Sequence, residues 1–184
     1  MDPLKTTARR DAGFTLIEAL IAMVILTVGM LGLAQAFYVG MRHMSTSSAN
    51  LIAREKAREA VESVHTARDT RIITWAQIRN VGAGGGAGGV FLVGAQILYN
   101  AGGDGLVNTA DDQAAGLETQ RDPGVNGVLG DADDVLIPLT AFRRQIEIRD
   151  MPNLDVRELI VTITYTVGPQ QRTYRLRTFI SAFS

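Results

Sequence analysis

The chain has no cysteine and is almost electrically neutral, with 18 basic and 19 acidic residues among 184. The missing thiols rule out disulfide staples and cysteine chemistry, so an exported domain would need another means of closing its loops, such as a metal ion. Near-neutrality argues against non-specific nucleic-acid binding, which needs clustered Lys and Arg against phosphate. Aromatics are only 6% and prolines number five, none of them between residues 14 and 73. Two histidines, His43 and His65, stand alone in sequence and are expected on the surface, without metal or catalytic roles. No Ser/His/Asp order stands out, and the expectation is that the protein is not an enzyme.

Against these gaps stands one long apolar run. Residues 13–41, GFTLIEALIAMVILTVGMLGLAQAFYVGM, contain a single charge, Glu18. The 28 residues from Phe14 to Met41 would make a helix of roughly 42 Å, against a hydrocarbon core of about 30 Å. A carboxylate in such a segment costs about 2.5–3.5 kcal/mol at the bilayer centre. Lys5, Arg9 and Arg10 precede the run, so the positive-inside rule keeps the N-terminus cytoplasmic and exports the remainder. A secretory signal would be cut after its apolar core; Ala34 and Ala36 loosely fit such a site, but the run outlasts a typical signal core. A plain signal anchor for a periplasmic domain is the simplest alternative.

Residues 13–20, GFTLIEAL, with the short basic leader before them, resemble the type IV prepilin motif. That resemblance implies cleavage by an inner-membrane prepilin peptidase between Gly13 and Phe14, N-methylation of Phe14, and a role for Glu18 in assembly. The physics is compatible. Cleavage would leave a cationic α-amino group on Phe14, and pairing it with the Glu18 carboxylate of a neighbouring subunit offsets two costly burials. Gly29 and Gly32 suit close helix packing in a membrane, or a segment that softens on entering a filament. The VGMLGLA pattern and the lack of proline look most like minor pilins of the pilus-modification type, and somewhat like minor pseudopilins of type II secretion.

From Arg42 to about Ile73 the pattern is amphipathic. Leu51, Ala57, Ala60, Val61, Val64 and Ala67 recur at helical steps, with Arg54, Glu55, Lys56, Arg58, Glu59 and Glu62 between them. One helix of about 60 residues is expected, roughly 90 Å long. GAGGGAGG at 82–89 is linker-like. It matches no phosphate loop, since no GK[ST] follows, and no dinucleotide fingerprint, since strand-like VFLVGAQILY (90–99) replaces the helix.

The middle of the chain repeats itself. GDGLVNTADD (103–112) and VNGVLGDADD (125–134) align at an offset of 22 residues, within a segment, 104–134, holding eight acids and one base, Arg121. Asp104, Asn108, Asp111, Asp112, Asn126, Asp131, Asp133 and Asp134 offer the hard oxygen ligands that calcium prefers. The alternative is a solvated acidic loop rich in turn residues. The spacing is not that of an EF-hand. Some pilins and pseudopilins carry calcium near their C-terminal sheet, which the resemblance makes relevant here.

Three alternating runs close the chain: 142–150, 157–167 and 172–183. Met151-Pro152-Asn153 and Gly168-Pro169 turn between them, so antiparallel neighbours are expected. Arg143, Arg144, Arg172, Arg175 and Arg177 form a candidate basic face for DNA, an acidic surface or another subunit.

The expected fold is α+β and pilin-like: one long N-terminal helix, membrane half plus amphipathic half, packed against a C-terminal antiparallel meander. The expected segments are a cleaved leader (1–13), a transmembrane and assembly helix (14–41), its amphipathic continuation (42–73), a Gly-rich and acidic loop region (74–138) and the sheet (139–184). The function this implies is a minor pilin, a structural subunit of a type IV pilus. The expected partners are the prepilin peptidase, other pilin subunits and the inner membrane, and nucleic acid is not among them. It would sit in the inner membrane before assembly and in a pilus crossing the periplasm to the cell surface afterwards. A minor pseudopilin and a tip adhesin or DNA-uptake pilin are the alternatives.

Overall fold

The computed structural model describes residues 15–83, 88–152 and 155–183, with the side chains of residues 43–45 left aside. The leader, Gly13, Phe14, residues 84–87 of the glycine linker, Asn153 and the side chain of His43 therefore lie outside the described residues. The chain divides into two compact units, residues 1–44 and 45–184. Helix α1 (Leu16–Asp69) starts in the first and ends in the second.

In the first unit, every described side chain from Leu16 to Met41 is exposed. The most apolar window of α1 has a mean hydropathy of 2.4, and none of it is buried. By length and composition this helix can cross a membrane. A continuous apolar surface of this size is tolerated in lipid or against other chains, not in water. A Cβ added at Gly29 or Gly32 would meet nothing within 4 Å, so nothing in the chain's own packing requires glycine there.

In the second unit, α1 buries Ala53, Ala57, Ala60, Val64 and Ala67. Their three- and four-residue spacing lines one face, and their small side chains let a sheet approach closely. That sheet is antiparallel in the order β1-β4-β5-β6, from Gln96–Ile97 (β1), Phe142–Asp150 (β4), Val156–Val167 (β5) and Gln170–Ser181 (β6). Leu159, Val161, Ile163 and Tyr165 alternate inward along β5 and join the alanine stripe in one core. Tyr165 stacks on Phe142 with ring centroids 5.4 Å apart. The fold is α+β and pilin-like, one long N-terminal helix packed with an antiparallel sheet.

Two elements differ from expectation. The helix stops at Asp69 rather than near Ile73, because Arg71 turns left-handed (φ 59°) and returns Ile73 to the core. The strand expected over 90–99 shrinks to two residues, Gln96 and Ile97, paired with Arg144 and Arg143. Gly94 at φ 84° interrupts it, and Phe91 and Leu98 enter the core instead. Between β1 and β4 lie a short helix, α2 (Asp112–Ala115), and a two-stranded ribbon of β2 (Thr119–Asp122) and β3 (Val135–Pro138).

Arg144 is a correction to the expected basic face. Alternation along β4 places it with Phe142, Ile146 and Ile148 on the inward side, and it is buried. Its guanidinium lies 3.0 Å from the buried Glu118 and donates to the Tyr99 carbonyl at 3.2 Å. Lys56 of α1 reaches the same carboxylate at 2.9 Å. Burial opposes the Lys56 charge, yet its bonds to Glu59 and Glu118 outweigh that and hold its ammonium above the usual lysine range. Arg143, Arg172, Arg175 and Arg177 remain exposed.

Candidate functional site

Two regions hold the candidate functional residues, the start of α1 and the duplicated loop. At the helix start, the Thr15 hydroxyl accepts the Glu18 backbone N–H at 3.3 Å, an N-cap contact that satisfies one otherwise orphaned donor. The Thr15 carbonyl accepts from Glu18 and Ala19 at 3.1 and 3.2 Å. Glu18 thus stands in the first turn, where the helix macrodipole favours a carboxylate. This local support does not remove the cost of carrying the charge into hydrocarbon. The cleavage pair, Gly13 and Phe14, lies outside the described residues.

The two loops are the same turn built twice. Gly105 and Gly127 both take φ 71°. Their N–H groups donate to the carbonyls of Gly102 and Gly124 at 3.1 and 3.2 Å. Asp104 and Asn126 each accept from the residue two ahead, at 2.8 and 2.7 Å. Their own N–H groups donate to Asp111 and Asp133, both at 3.4 Å. Asn108 and Gly130 donate to Asp112 and Asp134 at 2.5 and 2.8 Å.

The eight expected ligands fall into two groups. Carboxylate oxygens of Asp104, Asp111 and Asp112 lie within 4.8 Å of one another, and so do those of Asp131, Asp133 and Asp134. Asn126 joins the second group, its amide donating to Asp131 at 2.5 Å and Asp133 at 2.9 Å. Asn108 gives the first group its backbone N–H, while its side-chain amide donates to the Leu92 carbonyl at 3.2 Å.

The groups differ in saturation. Asp112 is buried and accepts from the Gly102, Asn108 and Thr109 N–H groups and the Thr109 hydroxyl. That hydroxyl also holds the Asp111 carboxyl below the usual range, whereas burial pushes Asp104 up. In the second group, the Asp133 side chain and then the Asn126 amide hold Asp131 low. Arg121 approaches Asp134 at 3.5 Å. Asp134 Oδ1 and Asn108 Oδ1 are buried without a hydrogen-bond partner.

The first unit's helix is where the chain meets a known family. The model of the prokaryotic N-terminal methylation motif matches residues 8–34. The chain is type IV pilin-like at its N-terminus. The match spans the basic residues Arg9 and Arg10, the Gly13-Phe14 pair, Glu18, Gly29 and Gly32. No curated protein and no solved structure matches the chain significantly.

Sequence reasoning missed several buried polar residues. Besides Glu118 and Arg144, Arg157 lies over the Trp75 ring, 4.1 Å from its centroid, and donates to the carbonyls of Trp75 and Ile78 and to Asp150. Arg157 and then Arg79 hold the Asp150 carboxyl below its usual range, against a smaller opposing effect of burial. Period-2 alternation was the available signal, since Arg157 shares its side of β5 with Leu159 and Val161. His65, expected on the surface, is half-buried, and burial followed by the nearby Arg68 pushes its imidazole down.

Proposed function

We propose that this chain is a minor pilin, a non-catalytic subunit of a type IV pilus that acts by assembly. The observation that carries the reading is the methylation motif at the head of a helix whose apolar half is wholly exposed. Such a helix has two uses in sequence, as an anchor in the inner membrane and as the packing element of a fibre. The prepilin peptidase would cut between Gly13 and Phe14 and methylate Phe14. Glu18 would then meet the new amino group of a neighbour, a pairing that disfavours other registers.

Mass spectrometry of the mature chain tests this. A chain beginning at N-methylated Phe14 is the expected result, and an intact Met1 or cleavage after Ala36 would overturn it. Glu18→Ala should leave cleavage intact and reduce incorporation into fibres. A minor pseudopilin of type II secretion uses the same motif, and genes for a pilus or a secretion system beside this one would separate the two. The adhesin or DNA-uptake reading rests on Arg143, Arg175 and Arg177, a face made smaller by the burial of Arg144 and by the register that puts Arg172 on the other side of the sheet, opposite Tyr165.

A second reading concerns calcium. It is favoured by the buried, unpartnered Oδ1 of Asp134, on a side chain only 6% exposed beside two further carboxylates. Calcium at 100 times its dissociation constant would stabilise the fold by about 2.7 kcal/mol. The melting temperature should rise with calcium and fall again with EDTA, and Asp134→Asn should blunt the rise. An unchanged melting temperature would sink the reading.

A further inference from the structure

The duplicated loop contains its own control. In the first copy, the two side chains after the glycine turn, Leu106 and Val107, are 0% and 1% exposed. In the second, Val128 and Leu129 hold the same positions and are 59% and 61% exposed. The ribbon that presents them is exposed at all eight of its strand residues, including Val135, Leu136 and Ile137. The same backbone turn buries its apolar pair in one place and leaves it in solvent in the other. Contiguous apolar surface on a protruding arm marks an interaction site.

We infer that the loop at 124–134 docks Val128 and Leu129 into the groove between α1 and β6 of a second copy of this chain. That groove has a volume of about 590 Å³ and is lined by Leu51, Arg54, Glu55, Arg58, Tyr174 and Leu176. Leu51, Tyr174 and Leu176 make its floor apolar. Arg54 and Arg58 outnumber Glu55 at its wall, and the exposed Arg172 lies on the same side of β6 as Tyr174 and Leu176. The arm has the opposite sign: residues 119–138 carry four acids, Asp122, Asp131, Asp133 and Asp134, and one base, Arg121, which pairs with Asp134. Complementary charge of this kind steers encounter and fixes register. The helix already receives the first loop within the chain, where Gly105 shares a pocket with Glu55, Arg58 and Glu59. A contact between unlike surfaces of identical chains joins two copies head to tail, as neighbours within a fibre are joined. In that sense the inference rests on the filament reading and gives it a contact outside the membrane helix.

The absence of cysteine makes the test clean. Leu129→Cys and Leu176→Cys would be placed on separately tagged full-length copies, produced together in cells, and treated in isolated membranes with a short bismaleimide. A dimer that requires both substitutions is the expected product. Asp122→Arg with Asp131→Arg on the first copy should cut its yield about tenfold, and Arg54→Glu with Arg58→Glu on the second should restore it. Unchanged melting of each variant excludes misfolding as the cause. No dimer, a dimer independent of Leu176→Cys, or a product with a different protein would each overturn the contact. Mass spectrometry of the same membranes separates the two proposals. A chain starting at Phe14 without dimer defeats the contact alone, and dimer with an intact Met1 defeats the processing alone.

Discussion

The loop at 102–112 and the loop at 124–134 share their turn geometry and differ in everything around it. The first follows the short strand β1 and leads to Glu118, whose carboxylate holds Lys56 and Arg144 beneath the sheet. Its apolar pair completes the core, and Leu92 donates back to the Asn108 carbonyl at 2.8 Å. The second interrupts an exposed ribbon, and its apolar pair faces outward. Short-range hydrogen bonds from Asp, Asn and Gly therefore set the turn in both places, while burial is decided by what lies next to the turn. A repeat in sequence is a repeat in local structure, and its two copies are free to serve different ends.

The largest effect expected of this comparison lies at the anchor of the first loop. Glu118→Gln removes the charge that Arg144 and Lys56 share, leaving a buried guanidinium uncompensated. Breaking such a pair costs about 3–5 kcal/mol. Denaturant unfolding of the full chain in detergent should show this loss. Replacing Glu118 and Arg144 together with Leu and Met should cost less than the single change. By contrast, Asp122→Asn, on the exposed ribbon, should stay within about 0.5 kcal/mol. A comparable loss at both sites would mean that the second loop is as deeply anchored as the first.

Next in size is the apolar pair. Leu106→Ala should destabilise by about 3 kcal/mol, since it removes a fully buried side chain and leaves a cavity. Val128→Ala should change stability by less than about 0.5 kcal/mol, its effect appearing in association instead. Equal losses would break the contrast.

Much of the fold was legible before the structure. The alanine stripe of α1 and the alternation of β5 announce a helix covered by a sheet, because 3.6- and 2-residue periods survive any tertiary detail. The turn at Gly168 is equally local. What the sequence hides is the fate of charge and the fate of short apolar pairs. Arg144 lies beside the exposed Arg143, and the facing Glu118, 26 residues away, together with the Tyr99 carbonyl makes its burial tolerable. Leu106 and Val128 have nearly identical neighbours in sequence, so no local pattern distinguishes them. The strand expected over 90–99 failed for a related reason, since its apolar residues are wanted by the core at places a straight strand cannot reach. At the candidate site, the offset of 22 and the grouping of carboxylates were visible, but the division of eight ligands into two sets of unequal saturation was not.

The smallest effect comes from exchanging the residue that most differs within the shared turn. Asn108 takes φ 70° and Gly130 takes φ 105°. Asparagine tolerates the first value, near the left-handed helical region, better than the second. Gly130→Asn should therefore cost about 1 kcal/mol, all of it backbone strain at an exposed site. Asn108→Gly keeps the backbone comfortable but gives up the amide bond to Leu92, a net contribution of about 1 kcal/mol. It also loosens the unfolded chain by about 0.5–1 kcal/mol. Against these stands a gain, because the substitution deletes the buried Oδ1 that has no partner. Two small losses of different origin are expected, each a few degrees or less in melting temperature. They separate under calcium if the cation binds beside Asp134: the Gly130→Asn loss would then grow when calcium is added, because the Gly130 N–H holds the Asp134 carboxylate and the wild-type chain gains stability that the variant does not. The Asn108→Gly loss should stay constant, since that change lies in the other loop and touches none of the carboxylates beside Asp134.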